Sequence, residues 1–220
     1  MQSSPEPDEQ HPDHSSEPRS ADPLYVPWER KMQDGLRQLQ ESYVPLHEET
    51  QIFRVYTTDV MPGFFQTPGY ATALFTVITE FDGVTEDIDG AVEARMDRSR
   101  ILHRGTHQFV MVLEEAVLRY RIGDNATMTG QLKHLLAVMS LPNVSLGVIP
   151  LTSPRLIWPM EAFHLFDDRL VEVELAAAEL SIENPAEIAT YVKAFGRLQD
   201  LAVHGDEARA LITSAIEALD

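Results

Sequence analysis

Apolar residues recur along this chain at two spacings, and the switch between them marks out its elements. Over residues 27–43, Trp28, Met32, Leu36 and Leu39 fall three or four apart, which predicts an amphipathic helix. Leu46, Ile52, Phe53 and Tyr56 predict a second over about 45–56, with Arg54 among them. Tyr70, Ala71, Leu74, Phe75 and Ile78 stripe a third, and Met128, Leu132, Leu135, Leu136 and Met139 a fourth that Pro142-Asn143 ends. Near the C-terminus, Ile188, Tyr191, Val192, Phe195 and Leu198 line one helix. Ala208, Leu211, Ile212, Ala215, Ile216 and Leu219 line another after the break at Gly205.

Between these helices the pattern shortens. Residues 108–113 (QFVMVL) form an apolar, partly β-branched run that predicts a buried strand, and residues 144–149 predict a second. Residues 162–166 and 170–175 predict a hairpin around Asp167-Asp168-Arg169, and Leu170-Val171-Glu172-Val173-Glu174-Leu175 alternates as a strand with one wet face does. Strands clustered late and helices grouped at both ends predict an α+β fold, with helices flanking a small mixed sheet.

Local punctuation supports this division. Over residues 60–70, Pro62-Gly63 favours a turn, while Thr67 followed by Pro68 reads as a helix cap with proline in the first turn. Two helices are expected to meet there, around Gln66. Asp82-Gly83 stops the helix after Thr67, and Thr85 is the expected cap of the next. That helix carries Arg95, Arg98, Arg100 and Arg104 toward its end, an arrangement its dipole favours and one that predicts a solvated face. Asn184-Pro185-Ala186-Glu187 combines a cap, a first-turn proline and an early acid.

Composition narrows the function classes. The 220 residues are 44% hydrophobic and 24% charged, enough for one substantial core. Residues 1–23 are too rich in proline and charge to pack and are expected to be a disordered acidic tail, leaving 24–220 as a single domain. The net charge of −18 disfavours direct contact with nucleic acid and favours cationic or amine-containing ligands. The chain has no cysteine, which removes disulfides, thiolate metal sites and cysteine nucleophiles and suits a cytoplasmic protein. No apolar run approaches a membrane span of roughly 18 residues, so no membrane association is expected. His103 and His107 are spaced four apart, but Gly105 interrupts them, so no metal is expected. Glycine-rich phosphate loops and nucleophile elbows are missing as well, and no cofactor is expected.

Four segments together carry a resemblance over residues 28–219. They are VMPGFFQTPGYATAL (60–74), VLEEAVLRYRIG (112–123), QLKHLLAVMSLPNVSLGVIP (131–150), and LVEVE ahead of IENPAEIATYVKAFGRL. In them the chain resembles the C-terminal domain of unknown function of Cro/repressor-type (XRE, antitoxin-like) actinobacterial transcriptional regulators. Such regulators carry a helix-turn-helix ahead of this domain, and nothing before Trp28 matches one. The resemblance therefore implies a stand-alone sensor or partner-binding half that does not read DNA, working with a small companion protein encoded nearby. It also implies an alternative, because some stand-alone members look like components of natural-product pathways in which a two-protein assembly closes an aziridine ring.

The candidate chemistry rests on carboxylates. Glu114 and Glu115 end a predicted strand, and Glu172 and Glu174 share one face of another, so they can converge on one pocket. Acids at strand ends are more often solvated or paired, here with Arg119 or Arg121. In a pocket they would hold an amine, or Glu114 or Glu174 would serve as a general base. Trp158 is either a core anchor or an aromatic wall of the same pocket. Arg54 and Arg119 are the expected partners of a sulfate- or phosphate-type anion, since a guanidinium fork matches such groups, although each alone reads more readily as a surface salt bridge.

Overall fold

The computed structural model describes residues 24–83 and 87–219 and is an α+β fold built on a seven-stranded mixed sheet. The expected tail over 1–23 and the Thr85 cap lie outside the described residues. In chain order the elements are β1 (Leu24–Pro27), α1 (Trp28–Lys31), α2 (Leu36–Ser42), α3 (Val44–Glu49), β2 (Ile52–Thr57), α4 (Pro68–Asp82) and α5 (Ile88–Ser99). There follow β3 (Gln108–Glu114), α6 (Asn125–Val138), β4 (Val144–Ile149), β5 (Phe163–Phe166), β6 (Leu170–Glu174), β7 (Ala178–Ile182), α7 (Pro185–Gln199) and α8 (Gly205–Glu217). Across the sheet the order is β1-β7-β6-β5-β2-β3-β4; β2, β3 and β4 run parallel, and the other neighbours are antiparallel.

Both helices expected before residue 56 need correction. The first splits at Gly35, whose φ of 94° lies where side-chain-bearing residues rarely go, so α1 and α2 are separate pieces. The second ends at Glu49. Ile52, Phe53, Val55, Tyr56 and Thr57 continue as β2, which pairs with β3 on one side and β5 on the other. Leu46, Ile52, Phe53 and Tyr56 satisfy a helical spacing, but a short β-branched and aromatic run fits a buried strand equally, and pairing on both edges selects the strand. Two strands had no sequence expectation. β1 is a largely exposed edge held by its ladder to β7, and β7 lies between β1 and β6.

Elsewhere the local signals translate directly. The Thr67 side chain accepts the Tyr70 N–H at the start of α4, Gly83 closes that helix at φ 67°, and the Asn184 side chain accepts the Ala186 N–H at the start of α7. Asp167 occupies the left-handed region in the β5–β6 turn, and its Oδ1 accepts the N–H groups of Gln51 and Ile52, tying that turn to the start of β2.

The two faces of the sheet carry separate cores. On one, Phe53, Val55, Met111 and Leu113 pack with Phe64, Phe65, Tyr70, α6 and α8; Phe53 and Phe109 stack at 4.8 Å. On the other, Tyr56, Val112, Ile149, Leu165 and Val173 pack against Ile188, Phe195 and Leu198 of α7. A fully buried amide, Gln131 of α6, clamps the corner before α4. Its Nε2 donates to the Phe65 carbonyl at 2.6 Å, and its Oε1 accepts the Thr67 N–H at 2.7 Å. Gln131→Leu strands both backbone groups, so urea denaturation is expected to show a loss of about 2–4 kcal/mol. A loss within experimental error would show that the corner holds without the clamp.

Candidate functional site

The residues singled out by sequence do not meet in one place. Glu114 lies on the sheet face covered by α7. It is buried, accepts the Tyr56 hydroxyl at 2.8 Å, and forms a two-pronged pair with Arg155 at 2.8 and 2.6 Å. Its oxygens are occupied, so the expected base is a structural anchor, and its partner is Arg155 in the loop after β4 rather than Arg119 or Arg121. Glu115 does pair with Arg119, at 3.0 and 2.7 Å, and also accepts the Leu151 N–H. Burial raises its pKa, but the Leu151 N–H and Arg119 outweigh that and leave it lowered. Arg54 donates to the Asp167 carbonyl and pairs with Asp168. Neither expected anion partner pairs with Glu172 or Glu174. Trp158 is 68% exposed, and so neither anchors the core nor walls the carboxylates.

Glu172 and Glu174 do stand together. The register aligns His164 of β5 with Glu172, Glu172 with Ser181 of β7, and Glu174 with Glu179, all on the face opposite α7. Glu179 is buried and takes both Lys31 and, at 2.7 Å, the Tyr43 hydroxyl. Above this polar half of the sheet lies α5, and its arginines correct the expectation of a solvated face. Arg100 and Arg104 are exposed, whereas Arg95 and Arg98 turn inward. Arg95 donates to the side-chain oxygens of Gln40 and Gln66, at 2.9 and 2.7 Å, and lies 4.4 Å over the Phe75 ring. Gln66 in turn donates to the Met61 carbonyl. Arg98 lies 5.0 Å over the Tyr43 ring and against Gly63, where a Cβ would come within 3.1 Å of its Nη2. Neither arginine is in an ion pair among the described residues, and beyond its ring contact the Arg98 guanidinium has no hydrogen bond there either.

A recess of about 90 Å³ opens between these groups, lined among others by Thr57, Asp59, Gln66, Arg95, Arg98 and Glu172. It lies past the C-terminal end of β2, the strand with a parallel neighbour on one edge and an antiparallel one on the other. It shares Asp59, Arg95, Arg98 and Glu174 with an outer groove of about 450 Å³ under α2 and α4. A third cleft of about 410 Å³, between α3 and α5, has three of its four acids, Glu41, Glu93 and Asp97, within reach of Arg37 and Arg100. Arg98 lines this cleft too, but the recess and its groove bring Arg95 together with Arg98 and so hold both of the inward-turned arginines, which have no ion pair among the described residues. Among the described residues no three metal-binding side chains gather.

Electrostatics are unusual in the recess and at His47 of the third cleft, on the other side of Arg98. Burial, then the Glu179 charge, pushes the Glu172 carboxyl up to about 8. Burial, then Arg98, draws His164 down to about 4, and the same two causes together with His164 draw His47 to about 2. Burial, then Arg98, pulls Arg95 down to about 9. A carboxylate and two imidazoles are thereby held uncharged near neutrality beside two guanidinium groups. Sequence reasoning missed Arg95, Arg98, His164 and Glu179. A signal was present in α5, where Ala91, Ala94, Arg95 and Arg98 fall at helical spacing on one face and the arginines continue the buried stripe of alanines.

These shifts predict how stability depends on pH. Folded Glu172 keeps its proton up to about pH 8, whereas unfolded it loses the proton near about 4.3, so it withdraws stability as pH rises between the two. Folded His47 and His164 stay neutral down to about 2 and about 4. Unfolded they protonate below about 6.5, so they withdraw stability as pH falls below that value. Of these three groups only Glu172 acts between about pH 6.5 and 8. The urea midpoint is expected to fall across that window, and Glu172→Gln to lessen the fall. An undiminished fall in the variant would place the responsible proton elsewhere.

Comparison with known proteins gives a family and weak structural likenesses. The chain has 12% identity and a TM-score of 0.40 to TrmBL2, an archaeal chromatin protein with a novel mode of DNA binding; the match covers 86% of this chain and 56% of that one, so this chain spans only about half its length. For NucT from Helicobacter pylori the values are 9% and 0.41, over 84% of this chain and 98% of that one. For Nuc from Salmonella typhimurium, a phospholipase D family member, they are 10% and 0.41, over 76% and 90%. Likeness this slight carries no argument about activity. No curated protein matches the chain. The family model described as domain of unknown function DUF5753 matches residues 40–214, strands β2 to β7 and the recess included, and the chain belongs to that family.

Proposed function

We propose that this domain binds a small molecule carrying an anionic group beside an amine, and that it works with a small companion protein rather than by reading DNA. Arg98 carries the reading. Among the described residues its guanidinium has no ion pair and no hydrogen bond, which is costly for a half-buried cation, and an entering sulfate, phosphate or carboxylate would supply what it lacks. Glu174 and Asp59 line the same walls and suit an ammonium group. The companion protein and the regulator ancestry rest on the resemblance described above, and the net charge of −18 fits a domain that leaves DNA alone.

A second reading is favoured by one further observation, the raised pKa of Glu172 beside two guanidinium groups. A base that titrates near 8 is better matched to an ammonium than an ordinary carboxylate is. In an intramolecular displacement, ionised Glu172 or Glu174 would take the ammonium proton. The amine nitrogen would form a bond to a nearby carbon while the carbon–oxygen bond to a sulfate- or phosphate-type group breaks, its electron pair leaving with the anion toward Arg95 and Arg98. Aziridine formation is the three-membered case. Ring closure of this kind gains mainly from holding the reacting atoms in line and from donors set in advance for the departing charge. Arg95 and Arg98 take the roles first expected of Arg54 and Arg119, and Glu114 has none.

Calorimetry with inorganic sulfate and with 2-aminoethyl hydrogen sulfate is expected to show binding to the wild type, tighter for the second, and at least about tenfold weaker binding to Arg98→Met, the usual cost of losing a charge-assisted contact. Equal binding by the variant would remove the anion site. Co-expression with neighbouring genes, followed by native mass spectrometry, is expected to recover the companion. Sulfate release from 2-aminoethyl hydrogen sulfate by the complex, lost in Glu172→Gln or Glu174→Gln, would establish the ring-closing reading; binding without release leaves the domain a sensor.

A further inference from the structure

We propose that the ligand of the recess is amphiphilic, with its charged head among the arginines and an aromatic or branched aliphatic body lying in the outer groove. This rests on the anion-and-amine reading of the recess and specifies the class of molecule that satisfies it. Size is the first argument. The recess, at about 90 Å³, falls well below the roughly 300–1,000 Å³ of ordinary ligand pockets, while the adjoining groove, at about 450 Å³, falls within that range. Anything larger than a two- or three-carbon head must pass beyond the shared residues Asp59, Arg95, Arg98 and Glu174, and the groove is where they lead.

The groove changes character with distance from those residues. Leu36 and Leu39 of α2 and Phe75 of α4 are buried within it, and Trp28, Val77 and Phe81 form its rim. Val77 and Phe81 are one helical turn apart on α4, 51% and 82% exposed, and so share one side of that helix in water. Trp28 is fixed, its Nε1–H donated to the Leu175 carbonyl at 2.7 Å. An indole locked by a hydrogen bond and an exposed phenylalanine on the same groove offer aromatic surface suited to a flat or branched apolar group. Among the described residues the groove's cations, Arg95 and Arg98, lie at its inner end and its outer part carries one acid, Asp82, so a second anionic group would gain nothing there. Charge at one end and apolar surface at the other is the complement of what the recess and groove present together.

The test compares two compounds that share a head: O-phosphoethanolamine and 2-amino-3-phenylpropyl phosphate. Calorimetry against the wild type is expected to give the phenyl compound an advantage of about tenfold or more, as burying a ring does. In Phe81→Ser and Val77→Ser that advantage shrinks several-fold, while O-phosphoethanolamine binds as before. Both positions are exposed, so the variants are expected to melt with the wild type. Arg98→Met weakens both compounds alike. An absent phenyl advantage, or one that survives both groove substitutions, overturns the amphiphilic ligand while the recess reading stands on Arg98→Met. If neither compound binds the wild type, the recess reading falls and this inference with it. A dimer in sedimentation that Phe81→Ser dissolves would assign the groove to a second copy of the chain and overturn the proposal as well.

Discussion

The inward turn of Arg95 and Arg98 is the constraint around which this half of the molecule is arranged. Withdrawing a guanidinium from water costs several kcal/mol unless its donors and charge are met, and among the described residues no carboxylate forms an ion pair with either. For Arg95 the amide oxygens of Gln40 and Gln66 meet the donors, with the Phe75 ring beneath. Those contacts fix α2 and the corner before α4 relative to α5, because Gln40 belongs to the first and Gln66 to the second. Arg98 needs the Tyr43 face on one side and the missing side chain of Gly63 on the other. Tyr43 is itself held by Glu179 of the edge-proximal strand β7. One pair of cations thus links α2, α5, the corner and the far side of the sheet.

Much of this was legible in the sequence wherever a signal was local. Thr67 with Pro68 and Asn184 with Pro185 act through side chains on their own helices, so the residues that cap are also the residues that announce the cap. Strands β3 and β4 and the β5–β6 hairpin carry their pattern within six or seven residues. What was illegible depends on partners distant in the chain. β2 is a strand because β3 and β5 flank it, and β1 because β7 offers it an edge. The pocket acids were half legible, since alternation places Glu172 and Glu174 on one face but says nothing about what covers that face.

Glu114 and Glu115 show why adjacency misleads. They follow one another, but the chain passes from strand to a 3-10 turn between them. Their side chains leave in different directions, one to Arg155 and Tyr56, the other to Arg119 and the Leu151 N–H. Charge alone likewise misleads in α5, whose four arginines look equivalent until the alanines beside two of them are taken into account.

One cross-strand row has a consequence for how such a domain diversifies. Leu146, Met111, Val55, His164, Glu172 and Ser181 stand side by side across six strands, and the row turns from apolar to ionisable between Val55 and His164. Cohesion and chemistry are thereby assigned to different ends of a single surface. Positions 172 and 174 line the recess and lie away from the parallel strands and their aromatic stack, so the chemistry of that wall can change without renegotiating how the chain folds.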